Sequence, residues 1–247
     1  MVKKNFKIFK KNKVFAGFTS KKDGDFSSKV LKRLTIKKLL QRIDLPQNSF
    51  KDFYFMEQVH STVIKQLVIK QLRDDNFIRG ADGLVTNQKG ILLLIKTADC
   101  LPVLIFNPKR QVIGAVHSGW RGTVGKITLK AILKMASQFG CQPKDLQVGV
   151  GPCAHKCCFK HDKKAFVQHL PEWKGFYRRR GDCYYIDLVG KLKSDLINVG
   201  IKPQNIEIVP ICTICNKNFF SYSRTKGKEK EKRFITYIGY EDSPYSL

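Results

Sequence analysis

Apolar and polar positions follow two different rhythms along this chain. In its middle third, ILLLIK (91–96), PVLIF (102–106) and QVIGAVH (111–117) are almost unbroken apolar runs, as expected of strands covered on both faces. Asn107-Pro108 marks a turn between the last two. FKIF, VFAGF, FYFMEQVH and STVIKQLVIK predict earlier strands, with KKDGD and Gly80-Ala81-Asp82-Gly83 as turns and LVT as a short strand. LQVGVG, IEIVP and RFITYIGY predict later ones. A helical rhythm appears in SSKVLKRLTIKKLLQRI, where Val30, Leu31, Leu34, Leu39 and Leu40 follow serine caps. GKITLKAILKMASQFG is amphipathic and stops at Gly140; KKAFVQHL and DLVGKLKSDLINVG also predict helices. TKGKEKEK is expected as a solvated loop tip. No repeat or linker divides these elements. The expectation is a single α+β domain over residues 1–247, with one large mixed sheet or two stacked sheets.

Composition changes this picture little, and charge changes it more. The chain has 247 residues, 43% hydrophobic and 11% aromatic, enough to bury a real core. Its 46 Lys and Arg against 20 Asp and Glu leave a net charge of +26, a field that favours anionic partners. The lysines are dispersed, so a solvated basic shell is expected rather than a nucleic-acid-binding arm. Arg178-Arg179-Arg180 lacks the aromatic pattern of RNA readers and is expected in a solvated loop. The start, MVKKNFKIFKKNKVF, has no apolar core of export-signal length, and ILLLI is far too short to cross a bilayer. A soluble cytoplasmic protein, monomeric or homodimeric, is expected. Its eight cysteines then read as thiols or metal ligands rather than disulfides.

Three residues stand at the edges of apolar runs: His60 in QVHS, Cys100 in TADC and His117 in HSGW. If the strand ends converge, two imidazoles and a thiolate form a three-ligand zinc set, with the fourth tetrahedral position left for water or substrate. Asp99 and Asp82 are acids in apolar surroundings, where an unpaired charge is costly. Either can orient a metal-bound histidine or accept a proton. After His117, Gly119, Gly122 and Gly125 surround Trp120 and Arg121 where a strand passes into a helix. Glycines let a ligand approach the backbone, the first helical turn favours an anion, and Arg121 can grip phosphate in bidentate fashion. The segment is not a P-loop, since Trp120 stands where the first glycine is needed.

Taken together, QVH, the ADG turn, TADCLPVLIF, VHSGWRG, VGPC and CTIC…FFSYSR resemble the YfiH family, relatives of the laccase-domain protein also called FAMIN, over about residues 15–239. The resemblance implies an α/β/β/α sandwich and zinc held by His60, Cys100 and His117. It further implies a purine nucleoside enzyme that cleaves adenosine, inosine and methylthioadenosine with phosphate and deaminates adenosine to inosine. Some bacterial members are instead described as peptidoglycan editing factors. The older label for the family, multicopper polyphenol oxidase, is disfavoured here: five histidines and no HxH pair cannot furnish a multicopper ligand set, so copper is not expected as the working metal.

On this reading Asp99 or Asp82 handles protons. Arg121 and Gly122 hold phosphate, and Lys21 and Arg224 are carried over as substrate contacts. The chain departs from the family at AGFTSKKDG, with Ala16 for a histidine and Lys21 for an arginine, and at Ser221-Tyr222-Ser223-Arg224, where one arginine is missing. Cys153, Cys157, Cys212 and Cys215 are read as core cysteines rather than a second metal site, which the resemblance does not include; His155, His161 and His169 are read as surface residues. Two rivals remain: a metal-free thiol amidohydrolase in which His117 activates Cys100, and a basic nucleic-acid-binding module.

Overall fold

The computed structural model describes residues 5–10, 14–68, 76–161, 167 and 169–241. Its strands begin with β1 (Val14–Phe18), β2 (Asp52–Met56), β3 (Ile64–Gln66), β4 (Phe77–Ile78) and β5 (Gly83–Thr86). The central three are β6 (Ile91–Thr97), β7 (Leu101–Asn107) and β8 (Val112–Ser118). Then come β9 (Gln147–Val150), β10 (Lys160–His161), β11 (Tyr177–Arg180), β12 (Cys183–Ile186), β13 (Ile206–Ile208) and β14 (Phe234–Tyr240). The helices are α1 (Ser28–Leu31), α2 (Ile36–Arg42), α3 (Trp120–Val124), α4 (Ile127–Phe139), α5 (Leu188–Asn198) and α6 (Tyr222–Thr225).

Two mixed sheets stack, one ordered β1-β14-β6-β2-β4 and the other β13-β9-β7-β8-β5-β3. The apolar runs explain the stacking, because their alternate residues enter different cores. Leu93 and Ile95 of β6 meet Leu104 and Phe106 of β7 between the sheets. Leu92 and Leu94 face the other way, packing with Leu31, Leu39 and Leu40 of α1 and α2. Val103 and Ile105 of β7 pack with Ile127 and Met135 of α4 and Leu192 of α5. Helix, sheet, sheet and helix therefore form four layers, the expected α/β/β/α sandwich. Each fully buried leucine contributes roughly 1.5–3 kcal/mol, so the paired central strands carry much of the stability.

Three local expectations need correction. The predicted helix from Ser27 to Ile43 is two short ones, because Thr35 accepts a hydrogen bond from Lys38 N and starts α2 afresh. Arg178, Arg179 and Arg180 are not in a loop but form β11, paired with β12 across a two-residue turn at Gly181, whose φ is 58°. The predicted strand FKIF, Phe6–Phe9, is a bend and turn, and the first strand begins only at Val14; the predicted helix KKAFVQHL falls mostly outside the described residues. Elsewhere the reading holds: α4 ends where Gly140 takes the left-handed conformation at φ 66°. Among the described residues, no helix is long and apolar enough to cross a membrane.

The connection between β6 and β7 matters most for chemistry. β6 belongs to the first sheet and β7 to the second, so the chain crosses between sheets at residues 98–100. Cys100 sits at that crossing.

Candidate active site

Cys100, His60 and His117 come from different parts of the second sheet's rim and meet there. His60 lies in the loop between β2 and β3, Cys100 immediately precedes β7, and His117 is near the end of β8. Their ligand atoms lie within 4.8 Å of one another. Cys100 Sγ is 4.0 Å from His60 Nε2, and the two imidazoles meet edge to face with centroids 4.9 Å apart.

Asp82 organises this cluster from behind. Its Oδ1 is 2.8 Å from His117 Nδ1 and accepts the His60 N–H at 3.0 Å. Its Oδ2 accepts the Ser61 N–H and hydroxyl, each at 2.7 Å. Buried and fully engaged, Asp82 holds His117 through Nδ1, which leaves the Nε2 edge of the ring facing Cys100. Burial alone would raise the Asp82 carboxyl, but the hydrogen bonds from His117 and Ser61 hold it below its ordinary value. Burial would likewise raise the Cys100 thiol, yet the adjoining His117 imidazolium brings it down to about 6. Burial opposes the His117 charge, while the Cys100 sulfur and Asp82 push its pKa up to about 9.

The backbone around the cluster is strained. Gln58, His60 and Asp99 have φ of 62°, 60° and 109°, values unusual outside glycine. Gln58 is held by its amide, which spans the backbone of Lys96: Nε2 donates to Lys96 O at 2.6 Å and Oε1 accepts from Lys96 N at 2.9 Å. At Gly119 a Cβ would stand 3.1 Å from His60 Cδ2 and 3.2 Å from Cys100 Sγ. Glycine at 119 leaves the space that the cluster occupies.

The three donors could hold a metal ion. Tetrahedral N and S ligands around zinc at ordinary bond lengths would lie about 3.3–3.7 Å from each other, somewhat closer than the 4.0 Å between Cys100 Sγ and His60 Nε2. The Asp82–His117 pair is the carboxylate support that zinc-bound histidines usually have. A blue-copper centre also uses two His and one Cys but adds a weak axial ligand, most often Met. Among the described residues, no methionine lines this cleft.

The cluster opens into a cleft of about 760 Å³. Arg121 lines it, with its guanidinium 4.1 Å above the Trp120 ring. Lys29, Lys96, Lys230 and Arg233 line it too, against Glu57, Asp99 and Glu231. Lys230 and Glu231 thus place part of the expected solvated tip in the cleft wall, and His161 belongs to that wall as well. Lys96 is the least expected member. Its ammonium, 5% exposed, donates to Ser28 Oγ at 2.6 Å and Met56 O at 2.7 Å. Burial, then the Arg233 and Lys32 charges, bring its pKa down to about 8. The signal was a lysine ending an otherwise apolar strand run; Arg233, before β14, gave none.

Other expected contacts lie elsewhere. Asp99 lines the cleft, but Oδ1 accepts from Thr213 Oγ1 and Oδ2 from Ser223 N, both at 2.7 Å, so both oxygens tie the neighbouring loops together. Arg224 does not line the cleft; its guanidinium donates to the carbonyls of Thr213, Ile214, Asn216 and Phe219. Lys21 is also outside the lining, 3.7 Å from Glu229 and 5.3 Å over the Phe220 ring. Gly122 is buried within α3 against α4, where a Cβ would meet Ile127 at 3.2 Å. α3 itself is only five residues long, so the anion-binding helix terminus envisaged from sequence is a single turn.

Residues 16–241 match the family model described as multi-copper polyphenol oxidoreductase laccase. The chain is 34% identical over 198 residues to a purine nucleoside phosphorylase of Clostridium acetobutylicum, covering 76% of this chain and 77% of that protein. It is 24% identical to purine nucleoside phosphorylase YlmD of Bacillus subtilis, over 93% and 90% of the two chains. The crystal structure of Bacillus licheniformis hypothetical protein YfiH superposes with a TM-score of 0.78 at 25% identity, covering 94% of each chain.

Proposed function

This chain belongs to that laccase-like family, and from that premise we propose that it is a purine nucleoside phosphorylase working in the cleft beside His60, Cys100 and His117. The observation that carries the reading is the juxtaposition of this donor set with a cationic cleft wall. Relatives bearing the phosphorylase name support it. Phosphate binds to Arg121, Lys96 and Arg233, whose charges hold it in place and screen its repulsion from the departing base. A phosphate oxygen forms a bond to ribose C1′ as the bond from C1′ to the purine nitrogen breaks. The electron pair leaves with the purine, which takes up a proton, and ribose 1-phosphate is the second product. Trp120 and Phe159, both lining the cleft, provide the apolar walls a purine requires.

His60, Cys100 and His117 would hold zinc. When bound, the ion would supply Lewis acidity. Asp82 keeps the imidazole of His117 in the ligating tautomer. Asp99 acts as a positioning residue that anchors the Thr213 and Ser223 loops beside Cys100, rather than as the proton carrier. Adenosine, inosine and methylthioadenosine are the proposed substrates. Deamination of adenosine by water, releasing ammonia and inosine, is a second proposed reaction in the same cleft.

One rival has a specific observation in its favour. Cys100, His117 and Asp82 also form a nucleophile, base and orienting acid in sequence, with the thiol lowered. That reading leaves His60 without a role. Incubating the purified protein with adenosine, with and without phosphate, separates the possibilities. Adenine and ribose 1-phosphate formed only with phosphate support phosphorolysis, and inosine supports deamination. Neither product, with Cys100 rapidly alkylated while zinc is present, would favour the thiol enzyme.

A further inference from the structure

A second sulfur cluster lies away from the cleft floor. Cys157, Cys158, Cys212 and Cys215 bring their four sulfurs within 4.8 Å of one another. Cys157 Sγ is 3.6 Å from Cys215 Sγ, and Cys158 Sγ is 2.9 Å from it. Sulfurs around a tetrahedral zinc lie about 3.8 Å apart, from a bond of about 2.3 Å. A disulfide needs about 2.05 Å, and all eight cysteines are free thiols. Cys153, which sequence grouped with three of these, is fully buried and joins Cys212 only through a backbone bridge. Cys158 takes its place. Cys157 and Cys215 are exposed rather than part of the core.

A separate feature also points to a cation. The His155 N–H donates to Cys212 Sγ at 3.5 Å, the kind of bond that supports a thiolate ligand. Four sulfurs this close cannot all ionise unless positive charge lies between them.

We propose that Cys157, Cys158, Cys212 and Cys215 form a second metal site that binds one zinc ion through four thiolates. The spacing leaves room for a single ion rather than an iron–sulfur cluster, whose inorganic sulfides hold thiolates further apart. On binding, zinc displaces the four thiol protons to solvent, with no change in sulfur oxidation state. The ion closes a staple between two loops that flank the cleft. Phe159, which directly follows Cys158, and His161, two residues further on, line the cleft. Thr213, between Cys212 and Cys215, holds Asp99 beside Cys100. The second site is therefore a positioning device, and it does not depend on which reaction the cleft performs.

Cobalt substitution tests it in the His60→Ala/Cys100→Ala chain, where only the four-sulfur cluster is intact. The account expects one cobalt per chain, with the intense thiolate-to-cobalt charge-transfer absorption of a tetrathiolate. That signal should be lost in Cys157→Ser/Cys215→Ser. Wild type should hold two zinc equivalents by elemental analysis, falling to one in each double variant. Should Cys157→Ser/Cys215→Ser misfold, the cobalt spectrum of the other variant decides alone. A spectrum without thiolate charge transfer, or a Cys158–Cys215 disulfide in protein kept anaerobic throughout, overturns the proposal.

Discussion

Gly119 shows how much a single atom can matter at this site. Its backbone, at φ −65° and ψ 174°, suits any residue, yet a Cβ would intrude on both His60 and Cys100. Gly119→Ala should therefore fold normally but lose roughly 10²-fold in kcat/KM, with thermal melting and turnover measured on the same preparation. Asp82→Asn removes the charge behind His117. Zinc affinity should fall about 10–100-fold by competition with a chelator, and stability should fall by about 3 kcal/mol in urea because a buried ion pair is broken. Lys96 makes a prediction in pH. Its ammonium deprotonates near pH 8 rather than 10.5, so KM for phosphate should rise between about pH 7 and 9 and flatten in Lys96→Met. The sign for stability is opposite. The unfolded chain keeps this proton to higher pH, so the charged lysine costs folding free energy below pH 8, a cost that fades towards 10.5. His60, Cys100 and His117 were legible because each interrupts an apolar pattern. The engaged carbonyls around Arg224 were not, because a guanidinium in sequence does not reveal whether it faces ligand or backbone.

At the scale of elements, the longest apolar runs were read correctly, since a strand buried on both faces leaves few alternatives. What could not be read was which face meets which layer: the division of Leu92 and Leu94 from Leu93 and Ile95 needs both sheets in place. The break at Thr35 and the hairpin of β11 and β12 were missed because short elements depend on caps and turns more than on periodicity. Gly140 gives a direct test of helix termination. Gly140→Ala forces alanine into the left-handed region and should cost about 1–2 kcal/mol in urea unfolding while leaving activity unchanged. Its Cβ would meet Arg110 only at an ordinary 3.6 Å, so conformation rather than crowding sets the cost.

Taken as one body, the molecule carries a net charge of +26 and gathers cations along one cleft whose floor is the His60–Cys100–His117 cluster. Such a field draws phosphate in, and screening it with about 0.5 M salt should raise KM for phosphate more than KM for nucleoside. A protein that merely bound nucleic acid would show steep salt dependence without turnover. The most direct measurement is ribose 1-phosphate formation from inosine and phosphate, comparing wild type with Cys100→Ala and His117→Ala at matched folding. The account expects steady product from wild type and a loss of at least about 10³-fold in both variants. Equal rates in all three, or no product from folded wild type loaded with zinc, would contradict it.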